Sequence, residues 1–402
     1  MTWRWQPPVL SPVSPRALLA GLTAASGLRT TGGEIAAVLR ERFAASDVIL
    51  TDSGTSALIL ALQALVPRGG AIAYPAYACA DLTAAALRAG MRVRLYDLDP
   101  TTLSPDLDSV RAAIGRGVDA IVVAHLYGYP ADVVGVQELA AAHGIPVIED
   151  AAQGAGGILY GKRLGSFGAI SILSFGRGKG TTCGSGGAVL CRTPTLTNWA
   201  RRMRTQLGTP ARGVREVGVV AAQWLFSHPF LYRLPASIPG LKLGEMVYHA
   251  AKEPRPMSTG AFAMLFAALE LEQRELSCRR EHAHDLVTRL NGVRRLLAVR
   301  PIAYGESGFL RAAFIDSVGD RSPQPTLGAL RGYPRTLEDQ PELKSILVPE
   351  ERAGKGAVLL RDRLFTLPTH SRVGNADVAR LGDWLASSTS LSRPAATSAL
   401  AT

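Results

Sequence analysis

The chain has 402 residues, of which 47% are hydrophobic and 19% charged, so it can bury a sizeable core and is not a disordered polypeptide. Its formal net charge of +11 suggests acidic small molecules, nucleic acid or an anionic membrane surface as partners. Its four cysteines include no C-x-x-C pair, which favours a reduced, cytoplasmic protein and argues against a metal site.

Two of these partner classes find no support in the sequence. The basic cluster at residues 201–204 contains no interleaved aromatic residue, so we interpret it as a solvated helix face rather than a nucleic-acid site. The apolar run 217–226 is shorter than the roughly 18 residues that cross a bilayer. Residues 16–26 only loosely imitate a signal peptide, because their apolar stretch is short. We therefore predict no nucleic-acid partner and no membrane span.

Short apolar runs alternate with helical patterns between residues 47 and 193. The predicted strands cover 47–53, 71–75, 93–97, 120–125, 146–150, 170–175 and 187–191, and the predicted helices cover 55–65, 79–89, 106–114 and 132–143. This alternation predicts an α/β fold with a mostly parallel sheet covered by helices on both faces. Ligand sites on such sheets gather where strands end, and residues 53–55, 150 and 174–179 all lie at such ends.

The pattern changes after residue 193. We predict a basic helix over 194–212, an irregular insertion rich in proline and aromatic residues over 216–256, and one long amphipathic helix over 258–292. The predicted organisation is an N-terminal arm (1–30), a large domain (31–256) that includes the insertion, a smaller C-terminal α+β domain (257–386) and a disordered tail (387–402).

The stretch SFGRGKG (174–180) places Lys179 between glycines, just beyond a predicted core strand. It is not a phosphate-binding P-loop, because Leu173 stands where the first glycine belongs and Gly180 replaces the Ser or Thr after the lysine. A lysine can instead form a Schiff base with pyridoxal phosphate. That chemistry also needs an acidic partner for the pyridine nitrogen, donors for the phosphate and a flat group over the ring.

Each of these requirements has a candidate residue, and each candidate can also be explained by a structural role that involves no cofactor. The turn in ILTDSGTSALILAL (49–62) offers helix N–H groups to a phosphate, or else Thr55 or Ser56 only caps the helix. Asp150, at the end of VIED, pairs with a cofactor nitrogen, or it forms a structural ion pair or helix cap. Tyr77 stacks on a ring or is a core aromatic. His125 is interpreted as a core histidine in preference to a catalytic one.

Six motifs occur in order and at suitable separations: SGTSAL, YPAY, YDLDPTTLSPD, AHLYGYPADV, VIEDAAQGAG and SFGRGKGTTCGSGGAV. Together they resemble the DegT/DnrJ/StrS aminotransferases, pyridoxal-phosphate enzymes of fold type I, many of which act on nucleotide-linked keto sugars. The resemblance is dense over residues 47–193 and returns near 257 and over 364–385.

The resemblance implies a role for each candidate residue. Lys179 would hold the cofactor as a Schiff base and move the proton between substrate and cofactor, and Asp150 would pair with the pyridine nitrogen. Gln153 would lie near the ring oxygen, and Tyr77 would stack on the ring. The residues implied to hold the phosphate are Ser174, Gly54, Thr55 and Ser56.

The implied activity is that of a homodimeric aminotransferase, which moves an amino group from an amino-acid donor such as glutamate to a keto or aldehyde acceptor, with a nucleotide-linked keto sugar as one candidate. One alternative is an enzyme of the same fold that acts on a non-sugar substrate in a secondary-metabolite pathway. Another is a non-catalytic regulator with this fold, against which the presence of both Lys179 and Asp150 argues.

The chain also departs from the family pattern. Gly180 replaces the usual Asn after the lysine, and residues 184–187 read GSGG in place of GEGG. The family's G-Y-N-Y-R-M-S stretch appears here as EPRPMS (253–258), which lacks the Asn that reaches the partner's phosphate, so Arg255 is the candidate replacement. The insertion 216–256 is either a flap packed on the dimer partner or a lid or docking surface for a carrier or lipid-linked acceptor.

Overall fold

The computed structural model describes residues 4–28, 32–241, 247–290, 293, 295–319 and 321–386. The predicted tail, 387–402, and parts of the predicted N-terminal arm lie outside the described residues. The helices are α1 (Pro15–Ala25), α2 (Gly32–Arg42), α3 (Gly54–Leu65), α4 (Ala80–Ala89), α5 (Leu107–Gly115), α6 (Val133–Ala141), α7 (Pro194–Leu207), α8 (Val214–Phe226), α9 (Arg233–Ala236), α10 (Thr259–Leu269), α11 (Glu272–Arg289), α12 (Lys355–Arg363) and α13 (Asn375–Ala386).

The strands, in chain order, are β1 (Asp47–Thr51), β2 (Ala71–Pro75), β3 (Arg92–Tyr96), β4 (Leu98–Asp99), β5 (Ser104–Pro105), β6 (Ala120–Ala124), β7 (Val147–Asp150), β8 (Ile158–Leu159), β9 (Lys162–Arg163), β10 (Ile170–Ser174), β11 (Gly187–Cys191), β12 (Leu296–Ala298), β13 (Gly305–Glu306), β14 (Ala312–Asp316), β15 (Leu330–Arg331) and β16 (Leu364–Leu367). Three 3₁₀ turns cover Pro239–Leu241, Pro325–Leu327 and Pro341–Ser345.

The main sheet has seven strands in the order β1-β11-β10-β7-β6-β2-β3. The pairs from β10 to β3 are all parallel, and β11 is antiparallel to both of its neighbours. Every residue of β2, β6 and β7 is buried, as expected for parallel strands covered on both faces. The predicted fold class, a large and mostly parallel α/β sheet, is confirmed.

Side-chain caps decide where several strands end and helices begin. The predicted first strand runs to Ser53, but β1 ends at Thr51 because Ser53 is the N-cap of α3 and its side chain accepts a hydrogen bond from Ser56 N. Asp106 and Asp132 cap α5 and α6 in the same way. The alternative that Thr55 or Ser56 caps the helix is therefore corrected to Ser53.

Two further expectations are wrong in detail. The predicted single helix over 258–292 consists of α10 and α11, which are separated at Glu270 and Leu271. Nearly all of α10 is buried, and it packs on α1, whereas the mostly polar α11 packs on α13, so one straight helix cannot serve both contacts. The insertion is also more regular than its sequence suggests, because α8 and α9 lie within it or overlap it.

The C-terminal part carries a second sheet, in the order β12-β14-β16-β15, whose pairs are all antiparallel. Its position agrees with the predicted α+β character of this part, while the domain boundary at residues 256 and 257 stays a prediction. None of the helices in the described part of the chain has both the length and the apolar run needed to cross a bilayer.

A buried carboxylate, Glu149 in β7, holds the centre of the main sheet together. Its oxygens accept five hydrogen bonds, from the N–H groups of Gly165, Phe167 and Gly168, the hydroxyl of Ser171 and Nε2 of His125. Burial raises the pKa of Glu149, but the bond to His125, the charge interaction with His125 and the other donors outweigh it and lower the pKa to about 2.

We predict that Glu149→Gln lowers the free energy of unfolding at neutral pH by about 3 kcal/mol or more, because an amide cannot accept all of these bonds. The folded pKa lies below the ordinary value of 4.5, so the ionised group stabilises the fold above pH 4.5 and loses that effect as the pH falls toward 2. Urea unfolding at several pH values should therefore show less acid sensitivity in the variant. The exposed Glu138→Gln is the control; equal stability of Glu149→Gln and wild type at pH 7 would contradict the prediction.

Candidate active site

A cavity of about 1840 Å³ opens where several strands of the main sheet end. It is lined by residues that follow β2, β6, β7 and β10 and by the start of α3. Most of the predicted site residues line it, namely Gly54, Thr55, Asp150, Gln153, Ser174 and Lys179. Ser56, Tyr77 and Arg255 do not line it.

Lys179 is half-buried in the loop after β10, and its amine forms no hydrogen bond or salt bridge within the described residues. The backbone on either side is held in place: Ser11 Oγ donates to Lys179 O at 2.5 Å, and Arg279 donates to Gly180 O at 3.2 Å. The loop therefore fixes the lysine backbone and leaves the amine available in the cavity.

The glycines beside the lysine serve the loop itself. Gly178 has a φ of +70°, a conformation that L side chains rarely adopt. A Cβ on Gly180 would lie 2.7 Å from Ala155 Cα, so the backbone at Ala155 excludes the Asn that is usual in the family. These contacts give both glycines a structural role in the loop.

The start of α3 lines the cavity and offers it N–H groups that could bind an anion. The N–H groups of a first helical turn have no partner within the helix, and Gly54 and Thr55 lie in that turn. Ser174 lies directly against them, because a Cβ on Gly54 would be 2.6 Å from Ser174 Cβ. Ser56 supports the turn from behind, accepting a hydrogen bond from Ser53 Oγ at 2.9 Å.

Asp150 ends β7 with only 7% of its surface exposed. Its Oδ1 accepts a hydrogen bond from Ala152 N at 2.9 Å, and no salt bridge to it occurs in the described ranges. Burial raises the pKa of Asp150, while the Ala152 bond and the charges of Lys179 and His125 oppose the rise. The geometry fits neither a structural ion pair nor a helix cap, and it leaves this carboxylate open to a cationic group in the cavity.

His125 has both ring nitrogens bonded inside the protein. Its Nδ1 accepts from Ala131 N, so the proton lies on Nε2, which donates to Glu149 at 3.0 Å. This is the arrangement that a core histidine requires, although the residue also lines the cavity.

The structure does not bring Tyr77 to the cavity. Its ring is fully buried 5.2 Å from that of Tyr333, and its hydroxyl accepts a hydrogen bond from Tyr333 N. Tyr333 itself lines the cavity, and its hydroxyl accepts from Gln153 Nε2 at 2.6 Å. The amide oxygen of Gln153 accepts a hydrogen bond from Tyr127 N at 3.1 Å, so the side chain is held in one orientation.

Arg255 lies outside its own chain's cavity. Its backbone pairs with Asp52, just after β1, and its side chain is exposed. The expected role of Arg255 across a subunit contact therefore stays a prediction.

Sequence reasoning missed several residues of the cavity. The segment from Pro7 to Ser11 forms one wall, and His370 Nε2 donates to Pro7 O while Arg279 donates to Leu10 O. Arg311 and Tyr333 reach the cavity from the C-terminal part of the chain. Only Arg311 carries a local signal, since it is a charged residue inside the apolar stretch GFLRAAF.

The fold is the predicted one, that of fold type I pyridoxal-phosphate enzymes. Residues 23–217 match the family model of the DegT/DnrJ/EryC1/StrS aminotransferase family. This match covers just under half of the chain and agrees with the resemblance that its motifs carry.

Curated relatives match over about two fifths of the chain. An L-glutamine:2-deoxy-scyllo-inosose aminotransferase of Streptomyces kanamyceticus is 40% identical over 152 residues, which are 38% of this chain and 35% of that protein. A UDP-N-acetyl-3-dehydro-alpha-D-glucosamine 3-aminotransferase of Acidithiobacillus ferrooxidans is 37% identical over 38% of this chain and 42% of its own. The matches thus span about two fifths of the relatives' length.

Solved structures agree over nearly the whole chain. The aminotransferase TlmJ from Streptoalloteichus hindustanus superposes with a TM-score of 0.74 at 22% identity, covering 95% of this chain and 97% of its own. A GDP-4-keto-6-deoxy-D-mannose-3-dehydratase of E. coli with bound hydrated PLP gives a TM-score of 0.75 at 17% identity, with coverages of 95% and 99%. At these identities the likeness is evidence of the fold.

The family implies pyridoxal phosphate as cofactor, and the residues present fit it. The α3 start with Ser174 suits the phosphate, and Asp150 is a buried carboxylate without a cationic partner in the described chain, as a protonated ring nitrogen requires. Lys179 supplies an uncommitted amine in the same cavity.

We predict that Gly54→Ala weakens the binding of pyridoxal phosphate by roughly ten- to hundredfold, because the added methyl pushes Ser174 away from the helix start. Fluorescence titration with the cofactor and with inorganic phosphate measures the effect. Gly115→Ala, where a Cβ meets nothing within 4 Å, is the matched control. Unchanged affinity in a folded Gly54→Ala protein would remove this helix start from the phosphate site.

Proposed function

We propose that this protein is a pyridoxal-phosphate-dependent aminotransferase that moves an amino group from an amino-acid donor to a keto or aldehyde acceptor. One observation carries the proposal: a single cavity combines the uncommitted amine of Lys179, the buried carboxylate of Asp150 and the N-terminus of α3. A regulator that had lost its activity would have no need to keep the first two together.

The chain's own residues divide the work. When bound, pyridoxal phosphate supplies an electron sink for the carbon attached to the amino group. Lys179 Nζ would hold the cofactor and, once released, accept and return a proton as a general base and acid. Asp150 would keep a proton on the ring nitrogen, and Gln153, fixed by Tyr127 and Tyr333, would orient the ring oxygen.

The names of the relatives suggest a first candidate for the acceptor. They describe amino transfer to 2-deoxy-scyllo-inosose and to keto sugars linked to UDP or dTDP. We therefore take a keto sugar, with or without a nucleotide, as the first acceptor to test.

We also propose a homodimer in the cytoplasm. The exposed Arg255 beside the start of α3 supports a contact with a second copy, since it cannot serve its own cavity. The four cysteines form no disulfide among the residues described, which supports a reducing compartment.

We predict that Lys179→Ala abolishes amino transfer and the visible absorbance of the cofactor-loaded protein without lowering its melting temperature, because the Lys179 amine has no structural partner. A spectrophotometric titration with glutamate, followed by an acceptor, measures both half-reactions. Lys162→Ala, an exposed lysine in β9, is the control and should behave as wild type. A Lys179→Ala protein that transfers amino groups at a rate comparable to wild type would contradict the role proposed for Lys179.

A specific feature favours a second candidate, an acceptor that is not a nucleotide sugar. Phe226, Leu234, Ile238 and Leu241 form an apolar wall of the same cavity, and they are 37–60% exposed. No Lys or Arg lines the cavity from the described residues between 219 and 249. The wall itself therefore offers no cationic donor to a diphosphate, and it suits an alkyl or aryl body.

We predict that the apolar wall makes the acceptor half-reaction depend on chain length. For butanal through decanal, kcat/KM should rise roughly threefold to fourfold per methylene while the chain contacts the wall. The double variant Phe226→Ser and Leu234→Ser should lose this dependence and keep the donor half-reaction. Leu225→Ser with Phe230→Ser is the matched control, because both residues are exposed on the same segment and outside the cavity.

Sedimentation of both double variants separates this role from a purely structural one. Suppose that the subunits dissociate in both double variants and that kcat/KM of wild type does not depend on the chain length of the aldehyde. The wall is then a contact surface for the second copy, and a keto sugar remains the acceptor to test.

A further inference from the structure

Arg311, immediately before β14, is a buried arginine in the cavity that holds Lys179 and Asp150. Only 4% of its surface is exposed. Its backbone N–H donates to Tyr127 O at 3.3 Å, and Tyr127 N in turn donates to Gln153 Oε1 at 3.1 Å. Arg311 is therefore bonded to the same residue, Tyr127, that orients Gln153.

The guanidinium group is held firmly, yet one donor remains. Nε donates to Thr366 Oγ1 at 2.7 Å, Nη2 donates to Gly328 O and Thr366 O at 2.8 and 2.6 Å, and Nη1 donates to Pro8 O. A guanidinium has five N–H groups. The second N–H of Nη1 has no partner among the described residues.

None of these acceptors carries a negative charge, and no carboxylate lies within salt-bridge distance of Arg311 in the described parts of the chain. Arg279, which is equally buried, has Glu275 at 3.4 Å. Burial lowers the pKa of Arg311 to about 10, so the group is still protonated at neutral pH. A buried cation without a counter-charge is costly, and in a cavity a ligand can supply the missing charge.

We propose that Arg311 binds the carboxylate of the amino-acid donor. This rests on the proposed function, since an amino acid must bring its carboxylate into this cavity for its nitrogen to reach Lys179. The remaining Nη1–H and the positive charge provide a charge-assisted hydrogen bond, which is stronger than one between neutral groups. Arg177 and Arg331 also line the cavity but are exposed, so water competes for them.

The test compares donors within one protein, so that any loss of folded protein cancels. For wild type and Arg311→Gln, kcat/KM of the donor half-reaction is measured with alanine against ethylamine and with phenylalanine against 2-phenylethylamine. We expect the preference for the carboxylated donor to fall roughly ten- to hundredfold in Arg311→Gln. An unchanged ratio overturns the proposal.

A binding measurement gives a readout that is independent of turnover. Calorimetric titration with glutarate, which has carboxylates and no amine, should show roughly tenfold or more weaker binding to Arg311→Gln than to wild type. Equal affinity overturns the proposal. If wild type converts no donor yet binds glutarate through Arg311, the proposed function fails and the carboxylate site stands.

Two more variants address the structural role of Arg311. Arg321→Gln is the matched control, because Arg321 is also buried and bonded to the carbonyls of Trp384 and Leu385 but does not line the cavity. It should keep the donor ratio of wild type. If Arg311→Gln fails to fold, Arg311→Lys takes its place, because lysine keeps the positive charge but lacks the planar guanidinium with its paired N–H donors. The preference for the carboxylated donor should still fall several-fold in this variant. A preference equal to that of wild type overturns the proposal.

Discussion

The buried carboxylate of Glu149 is the interaction on which the rest of the site depends. It gathers donors from the loop before β10, from β10 itself and from His125 after β6. Asp150 is the next residue along β7, and Ser174 and Lys179 follow β10. The relative positions of Asp150, Ser174 and Lys179 are thus set by one group that does not line the cavity.

The adjacent carboxylates Glu149 and Asp150 lie on opposite faces of β7 and have different surroundings. Successive side chains of a strand point to opposite faces of the sheet, so Glu149 and Asp150 meet different surroundings. Glu149 finds a full set of donors, which outweigh burial and lower its pKa, whereas Asp150 finds one and has its pKa raised by burial. The unsatisfied member of the pair is the one that borders the cavity.

Local patterns were sufficient for the sheet and for most of the site, because a parallel α/β fold places functional residues directly after apolar strands. The sequence did not predict α8, because the prolines and aromatic residues that follow it made the whole segment look irregular. The break at Glu270 depends on which elements α10 and α11 pack against, and a local pattern does not contain that information. Arg311 forms a hydrogen bond with Pro8, which lies 303 positions away in the sequence, and Tyr333 forms one with Tyr77, which lies 256 positions away. No short-range pattern encodes such contacts.

The wall from Pro7 to Ser11 has a consequence for how the protein is made. These residues are synthesised before the main sheet, whereas the side chains that anchor them, at Arg279, Arg311 and His370, are synthesised after it. A nascent chain can therefore complete its seven-stranded sheet while its reactive lysine still faces open solvent. This wall can therefore be anchored only after the C-terminal part of the chain has been synthesised.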